Sequence, residues 1–283
     1  MTTIALVGAG GKMGNRLADN LRNSNYDMLY VEISEKGIRQ LAQKNLTVTP
    51  LLDAVNQADV IILAVPDIAI GEISADIVPQ MKPGSLLMLL DPAAAYMRHL
   101  PDREDISYFI THPCHPPIYN DEVTPEAKAD LFGGVAARQS IVCALMQGPE
   151  SDYAKGEEIA RRMYSPILRS HRITVEQMAT LEPTMAETVL GTCIVVLKEA
   201  MDEAVKCGVP PEAARDFMLG HITTIMASVF GITGSPLSDA ALVAIEYGKK
   251  QILQPNWRDV FSTEKLNETI DLMLHPSKLE TTI

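Results

Sequence analysis

Residues 4–14 read Ile-Ala-Leu-Val-Gly-Ala-Gly-Gly-Lys-Met-Gly, an apolar run that stops at a cluster of glycines and leads into a helical pattern. This order predicts a strand, a turn whose backbone N–H groups bind phosphate, and a helix whose N-terminus faces the phosphates. Gly8 fits the start of a dinucleotide-binding turn, but the third glycine, Gly14, comes one residue late. A register that starts at Ala9 restores the spacing and loses the first glycine.

An acidic residue stands near the end of the next apolar run, as a dinucleotide site requires. Residues 27–33 form that run, and it contains Glu32. A carboxylate there accepts hydrogen bonds from ribose hydroxyls and repels a 2′-phosphate, so it favours NAD over NADP, whereas nearby Lys36 weakens the preference. Together with a later strand end, these motifs predict the following cofactor-binding residues: Gly8, Ala9, Gly10, Gly11, Lys12, Met13, Glu32, Val65 and Pro66.

Strand and helix patterns alternate up to about residue 172, and only helical patterns follow. Residues 58–65 are apolar on both faces, as a central strand of a parallel sheet must be when helices cover both sides. We therefore predict an α/β Rossmann-type parallel sheet domain over residues 1–172 and an all-α domain over residues 173–283. Residues 189–197 are apolar almost all round, which predicts burial in a homodimer interface or inside a monomeric bundle.

The composition narrows the class of protein further. A net charge of -12 over 283 residues argues against a nucleic-acid partner, and an anionic substrate then needs a locally positive or metal-bearing site. No apolar run approaches the roughly 18 residues that span a bilayer, which predicts no membrane partner. Four cysteines without metal-site spacing and an N-terminus without a leader pattern predict a cytoplasmic protein.

A second motif, THPCHPPIYNDE at residues 111–122, follows a predicted strand at residues 106–111. Three prolines stiffen a loop that presents His112 and His115. Either imidazole can accept a proton from a carbinol during hydride transfer, and the pair can also bind a metal ion. The alternative is a structural loop whose histidines only bond to the backbone.

A third motif, LEPTMAE at residues 181–187, places acids in an otherwise apolar helix. Glu182, beside its proline, can act as a base or a metal ligand in the interdomain cleft. Glutamates near a helix start also complement the helix dipole, so a structural role for Glu182 and Glu187 stays open.

Taken together, the glycine-rich start, the histidine loop and the helical C-terminal half resemble the 6-phosphogluconate dehydrogenase-like superfamily. The HPCHPP and LEPTMAE motifs look like those of the D-apionate oxidoisomerase group. This resemblance implies that a branched sugar acid is oxidised with NAD and rearranged to 3-oxo-isoapionate. The chain differs from the β-hydroxyacid dehydrogenases, because the positions of their lysine and asparagine after Gly191 hold Val195 and Glu199.

The predicted catalytic residues are His112, His115, Glu182 and Asn120. In this hypothesis a divalent metal ion is held by His115 and Glu182, and His112 is the base. The expected partners are a small anionic substrate and a second copy of the chain. A simple hydroxy-acid dehydrogenase and a non-catalytic NAD-binding sensor remain the alternatives, although a sensor has no need of paired imidazoles.

Overall fold

The computed structural model describes residues 1–279. A seven-stranded sheet has the order β2-β1-β3-β4-β5-β6-β7, and all neighbouring strands are parallel except β5 and β6. The strands are β1 (Thr3–Val7), β2 (Asp27–Val31), β3 (Val60–Leu63), β4 (Leu86–Leu89), β5 (Ser107–Pro113), β6 (Gln139–Gln147) and β7 (Ile167–Arg172). The mostly parallel sheet confirms the predicted Rossmann-type domain, while the antiparallel pairing of β5 with β6 was not predicted.

Helices connect most of these strands and continue after them. Those of the sheet region are α1 (Lys12–Leu21), α2 (Glu35–Gln43), α3 (Leu51–Gln57), α4 (Asp67–Ile77), α5 (Ala93–Tyr96), α6 (Pro125–Ala129), α7 (Glu150–Met163) and α8 (Val175–Ala179). Those that follow are α9 (Thr192–Lys206), α10 (Pro211–Val229), α11 (Asp239–Ile252) and α12 (Thr263–Leu274). The predicted helical C-terminal half is confirmed over the part of the chain that the structure describes.

Two apolar cores lie on the two faces of the sheet. Alternate residues of each central strand point to opposite faces, so Ile61 and Leu63 belong to one core and Val60 and Ile62 to the other. Helices α3, α4, α5 and α8 cover the first face, and α1, α2 and α7 cover the second. This burial on both sides explains why the strands read as continuous apolar runs.

Two local predictions need correction. His112 and Pro113 belong to β5 and pair with Val142 and Ile141 of β6, so the histidine loop begins after them. The sequence also predicts a short strand at residues 46–48, and the structure has only an isolated bridge there, between Val48 and Tyr30.

The long helical stretch Val175–Lys206 changes its winding in the middle. Its first turn is α8 and its end is α9, but Thr180–Gly191 between them is a π-helix that contains Pro183. Proline has no N–H for the i→i−4 bond and its ring clashes with the carbonyl of the preceding turn, so a wider winding accommodates it. Such π-helical turns are frequent at functional sites.

The chain divides into two compact units. One comprises Met1–Glu182 together with residues 267–279, and the other is Pro183–Leu266. The boundary predicted from the sequence, at residue 172, lies ten residues before this division.

The helical unit buries little of its own apolar surface. Neither α9 nor α11 contains a buried residue, and Leu190, Ile194 and Val195 are each about half exposed. The sequence predicts that residues 189–197 are buried, but in the single chain they are largely exposed. This exposure does not support the alternative to the predicted dimer, a monomeric bundle with a central buried helix.

By length and composition alone, the stretch Val175–Lys206 could cross a membrane. Its charges argue against that, because the uncharged segment between Glu187 and Lys198 is only residues 188–197. At about 1.5 Å per residue this segment spans about half of a hydrocarbon core of about 30 Å. An apolar helix face that docks on another protein surface fits these charges better.

Candidate active site

The glycine-rich turn joins β1 to α1. Gly8 has φ of 79°, in the left-handed region, and its N–H donates to the carbonyl of Val31 at 2.9 Å. A Cβ on Gly14 would overlap the carbonyl oxygen of Gly8, so a side chain there would push α1 away from the turn. The sequence allows two alignments with the dinucleotide-binding motif, one that starts at Gly8 and one that starts at Ala9. The backbone requires glycine at the positions of the first alignment.

Glu32 lies directly after β2 and closes the turn from the side. Its carboxylate accepts hydrogen bonds from the backbone N–H groups of Gly10 at 2.8 Å, Ile33 at 2.9 Å and Ser34 at 2.8 Å. Burial would raise the pKa of this carboxyl, but these hydrogen bonds outweigh burial and hold the pKa below its usual value. Glu32 is therefore ionised at neutral pH.

Two cavities border the glycine turn, and Glu32 lines the first of them. One of about 460 Å³ is mostly apolar and is lined by Gly8, Val31, Val65 and other residues that include Pro66. The other, of about 360 Å³, is lined by Gly10, Lys12, Ser34 and Lys36 among others. Most of the predicted cofactor-binding residues thus line one of these two cavities. The apolar cavity suits a ring, and the cavity with the two lysines suits a negatively charged group.

Polar residues follow three neighbouring strands at their carboxyl ends. Asp67 follows β3, Asp91 follows β4, and His112 lies near the end of β5. Leu89 pairs with Ile110 across β4 and β5, so Asp91 and His112 each stand two residues beyond a paired position. Because carboxyl ends of parallel strands meet at one edge, these groups lie at the edge that also holds the glycine turn.

Asp91, His112 and Glu182 form a group that can bind a metal ion. Each offers one ligand atom, and these three atoms all lie within 4.8 Å of one another. Asp91 is buried, and its Oδ1 also accepts a hydrogen bond from the backbone N–H of Ala93 at 2.8 Å. Glu182 reaches the group from the π-helix, one residue before Pro183.

The imidazole of His112 is held in a form that can bind a cation. Its Nδ1 lies 2.9 Å from the carbonyl oxygen of Pro113, which can only accept, so Nδ1 holds the proton and Nε2 keeps a lone pair. Burial, and to a smaller extent the neighbouring His115, lower the pKa of His112 to about 4 against the opposing effect of the Pro113 hydrogen bond. His112 is therefore neutral at pH 7 and only weakly basic, so it can offer its lone pair to a cation but is a poor proton acceptor.

His115 lies next to this group and outside it. Its Nδ1 is 2.9 Å from the carbonyl oxygen of Phe132, so by the same argument Nε2 has the lone pair. The rings of His115 and His112 are perpendicular, with centroids 6.2 Å apart. The predicted ligand pair of His115 and Glu182 is therefore corrected: the structure groups Glu182 with His112 and Asp91.

Asn120 is engaged within its own loop. Its Nδ2 donates to the carbonyl of Pro117 at 2.7 Å, and its Oδ1 accepts from the N–H of Glu122 at 3.1 Å. This Asx turn shapes the loop, and both ends of the amide are used. Asn120 therefore has a structural role in the loop and no part in the proposed chemistry.

Sequence reasoning missed Asp67 and Asp91. Burial and the negative charge of Asp91 raise the pKa of Asp67 to about 6. The signal was present, since each aspartate directly follows the apolar run of a central strand, but we assigned roles only to the strand end at Val65 and Pro66.

Two models of known protein families match the chain. Residues 120–274 match the family model of the phosphogluconate dehydrogenase (decarboxylating) C-terminal region. Residues 1–126 match the NADPH-binding domain of acetohydroxy acid isomeroreductase.

Close relatives cover nearly the whole chain. It is 51% identical to a D-apionate oxidoisomerase of Rhizobium rhizogenes, over 95% of this chain and 98% of the relative, and 52% identical to one of Cupriavidus necator, over 94% and 97%. Among solved structures, the chain is similar to a semialdehyde dehydrogenase NAD-binding protein from Cupriavidus necator in complex with calcium and NAD. The two superpose with a TM-score of 0.94 at 51% identity, and the match covers 96% of this chain and 99% of that chain. The chain therefore belongs to the D-apionate oxidoisomerase family, whose members combine a Rossmann domain with a phosphogluconate dehydrogenase-type C-terminal region.

Proposed function

We propose that this chain oxidises D-apionate, a small anionic sugar acid, with NAD and rearranges its carbon skeleton to give 3-oxo-isoapionate. The observation that supports this most directly is the group of Asp91, His112 and Glu182 at the same sheet edge as the glycine turn. This group suits both the oxidation and the rearrangement, because the two reactions act on neighbouring oxygen atoms of one substrate. The relatives at 51% and 52% identity have this activity as their name.

For the cofactor we propose NAD, bound at the glycine turn. The free N–H groups of the first turn of α1 face the pyrophosphate, and the ionised carboxylate of Glu32 receives the ribose hydroxyls. Three of about four acceptor sites of that carboxylate are occupied by backbone N–H groups, which leaves room for a ribose hydroxyl. Its charge would repel a 2′-phosphate, and the solved relative binds NAD.

The donor set fits a divalent metal ion. Two carboxylates suit hard cations such as Mg²⁺ or Mn²⁺, and a neutral imidazole adds a nitrogen ligand. When bound there, such an ion would polarise the substrate's carbonyl oxygen. The relative solved with calcium shows that a protein of this fold accepts a divalent cation.

The remaining imidazole is placed to move protons. Hydride transfer from the carbinol requires that the hydroxyl proton leave, and we assign it to Nε2 of His115. The rearrangement then requires deprotonation of the neighbouring hydroxyl, migration of a carbon group with its electron pair to the new carbonyl carbon, and protonation of the oxygen on that carbon. His115 releases the first proton to solvent, which balances NADH formation, and then takes the proton of the neighbouring hydroxyl and returns it to the oxygen on the former carbonyl carbon. This assignment exchanges the roles first predicted for His112 and His115.

We further propose that the chain works as a homodimer in the cytoplasm, without a membrane or nucleic-acid partner. The apolar face of α9 and the preceding π-helix is exposed in the single chain, and an exposed patch of this kind is typical of a protein interface. We favour a second copy of this chain as the protein that covers this face. In an isologous dimer the same patch of both copies meets, so no other partner is needed. The net charge of -12 is the argument against nucleic acid.

The activity is tested with purified protein, D-apionate and NAD. We expect NADH formation and a product whose carbon connectivity, determined by NMR, is that of 3-oxo-isoapionate. An unrearranged 2-oxo acid would indicate a simple dehydrogenase. NAD binding without NADH formation from any sugar acid would favour the sensor alternative.

The cofactor preference is tested with Glu32→Gln, which keeps the hydrogen-bond acceptor but removes the charge. We expect wild type to bind NAD at least tenfold more tightly than NADP, and the variant to lose most of this ratio because the 2′-phosphate no longer meets a like charge. Titration by fluorescence measures both affinities. Glu35→Gln, one turn away on α2, serves as the control and should retain the wild-type ratio; equal affinities in wild type would contradict the assignment.

The metal group is tested by calorimetric titration with Mn²⁺. We expect His112→Gln and Asp91→Asn each to weaken Mn²⁺ binding at least about tenfold, because each removes a direct ligand. The control is His171→Gln in β7, which should bind Mn²⁺ as wild type does. Chelator treatment should also stop the rearrangement until Mn²⁺ or Mg²⁺ is restored; unchanged turnover after chelation would remove the metal from the mechanism.

The homodimer is tested by sedimentation velocity at micromolar concentration. We expect a dimer for wild type and a monomer for Val195→Asp, since a buried unpaired carboxylate is costly. Val123→Asp changes a valine that is 80% exposed in the sheet unit, and it should remain dimeric. A wild-type chain that sediments as a stable monomer would show that α9 is covered in another way.

A further inference from the structure

The segment of residues 130–134 contacts both α1 and the active-site histidine. Its Phe132 ring lies under two cations of α1: Nζ of Lys12 is 4.1 Å from the ring centroid, and Cζ of Arg16 is 5.0 Å from it. The residue is 48% exposed, so burial of apolar surface accounts for only part of its position. Attraction between the two cations and the ring face adds to it.

One face of α1 makes all of these contacts. Lys12, Arg16 and Asn20 are spaced four residues apart, so they lie in a row along the helix. Nδ2 of Asn20 donates to the carbonyl of Gly134 at 2.9 Å. Asp130 shapes the segment that follows, because its Oδ2 accepts hydrogen bonds from three consecutive backbone N–H groups, those of residues 135–137. The helix that opens at the glycine turn therefore fixes where the segment lies.

Phe132 in turn holds His115 from two directions. Its carbonyl oxygen accepts the Nδ1–H of His115 at 2.9 Å, and the two rings meet at 87° with centroids 5.9 Å apart. His115 has φ of 60°, in the left-handed region that favours glycine, which costs about 1 kcal/mol or more. A histidine in that conformation must be held by its surroundings, and the structure shows Phe132 on two sides of it.

We propose that Phe132 is a positioning residue, through which α1 sets the orientation and the tautomer of the His115 imidazole. The inference rests on the proposed function, in which Nε2 of His115 accepts the substrate proton. The N-terminal turn of α1 is also the phosphate site, and Lys12 belongs to both. The same helix thus carries the proposed phosphate site at its first turn and the contact with Phe132 that places the base.

Steady-state kinetics on Phe132→Leu test the proposal. This variant keeps an apolar side chain and the backbone carbonyl but removes the ring. We expect kcat to fall on the order of tenfold, within the hundredfold that a misplacement of about 1 Å can cause, while the Kd for NAD and the Tm stay at wild-type values. Phe132→Tyr keeps the ring face and should restore kcat. Val135→Ala, at an exposed apolar residue of the same loop, is the matched control and should behave as wild type.

A spectroscopic measurement tests positioning independently of turnover. Protein labelled with ¹⁵N-histidine has six imidazoles, and His115→Gln identifies the signals of His115. We expect the Nδ1–H tautomer in wild type and in Phe132→Tyr, and a mixture of tautomers in Phe132→Leu.

Two results would overturn the proposal: Phe132→Leu with wild-type kcat and tautomer, or a parallel loss of kcat, Tm and NAD affinity, which indicates a merely structural residue. Failure of the proposed function looks different. Wild-type turnover in His115→Gln would reject the base assignment, while the tautomer measurement would still decide whether Phe132 positions the ring.

Discussion

The close approach of α1 to the glycine turn is the constraint on which most of this active site depends. Because Gly14 has no side chain, the helix packs directly against the carbonyl of Gly8. That contact sets the direction of α1, and the direction decides two things. Its first N–H groups face the proposed phosphate site, and the row of Lys12, Arg16 and Asn20 meets the segment beside His115. One backbone contact therefore orients both the proposed cofactor site and part of the loop that holds His115.

A second level of organisation comes from the parallel sheet. Four parallel neighbours end at one edge, and their last residues bring Gly8, Asp67, Asp91 and His112 into one region although they are far apart in sequence. Glu182 joins them from a helix whose winding is changed by the proline that follows it. Local backbone chemistry at Pro183 and the long-range geometry of the sheet are thus both needed to assemble three ligand atoms.

The sequence was sufficient for the fold because its strongest signals are local. Central strands buried on both faces read as apolar runs, and the glycine turn with Glu32 identifies the first strand, helix and second strand. The division of roles between His112 and His115 was not predictable, because it depends on which imidazole is buried and which carbonyl each Nδ1 meets. The contact of Lys12 with Phe132 joins residues 120 positions apart and leaves no periodic trace in the sequence. Burial of α9 was inferred from its apolar pattern, and the pattern could not say whether the same chain would cover it.

The antiparallel pairing of β5 with β6 has a consequence for how such an enzyme can diversify. Parallel neighbours need a long crossover that packs on the sheet, whereas antiparallel neighbours can be joined by a connection of almost any length. The connection between β5 and β6 holds His115, Phe132 and the short helix α6, and it lies outside the paired strands. Insertions or deletions there leave the strand register and the cofactor half intact. Substrate range can therefore evolve through this one connection while the remainder of the sheet stays unchanged.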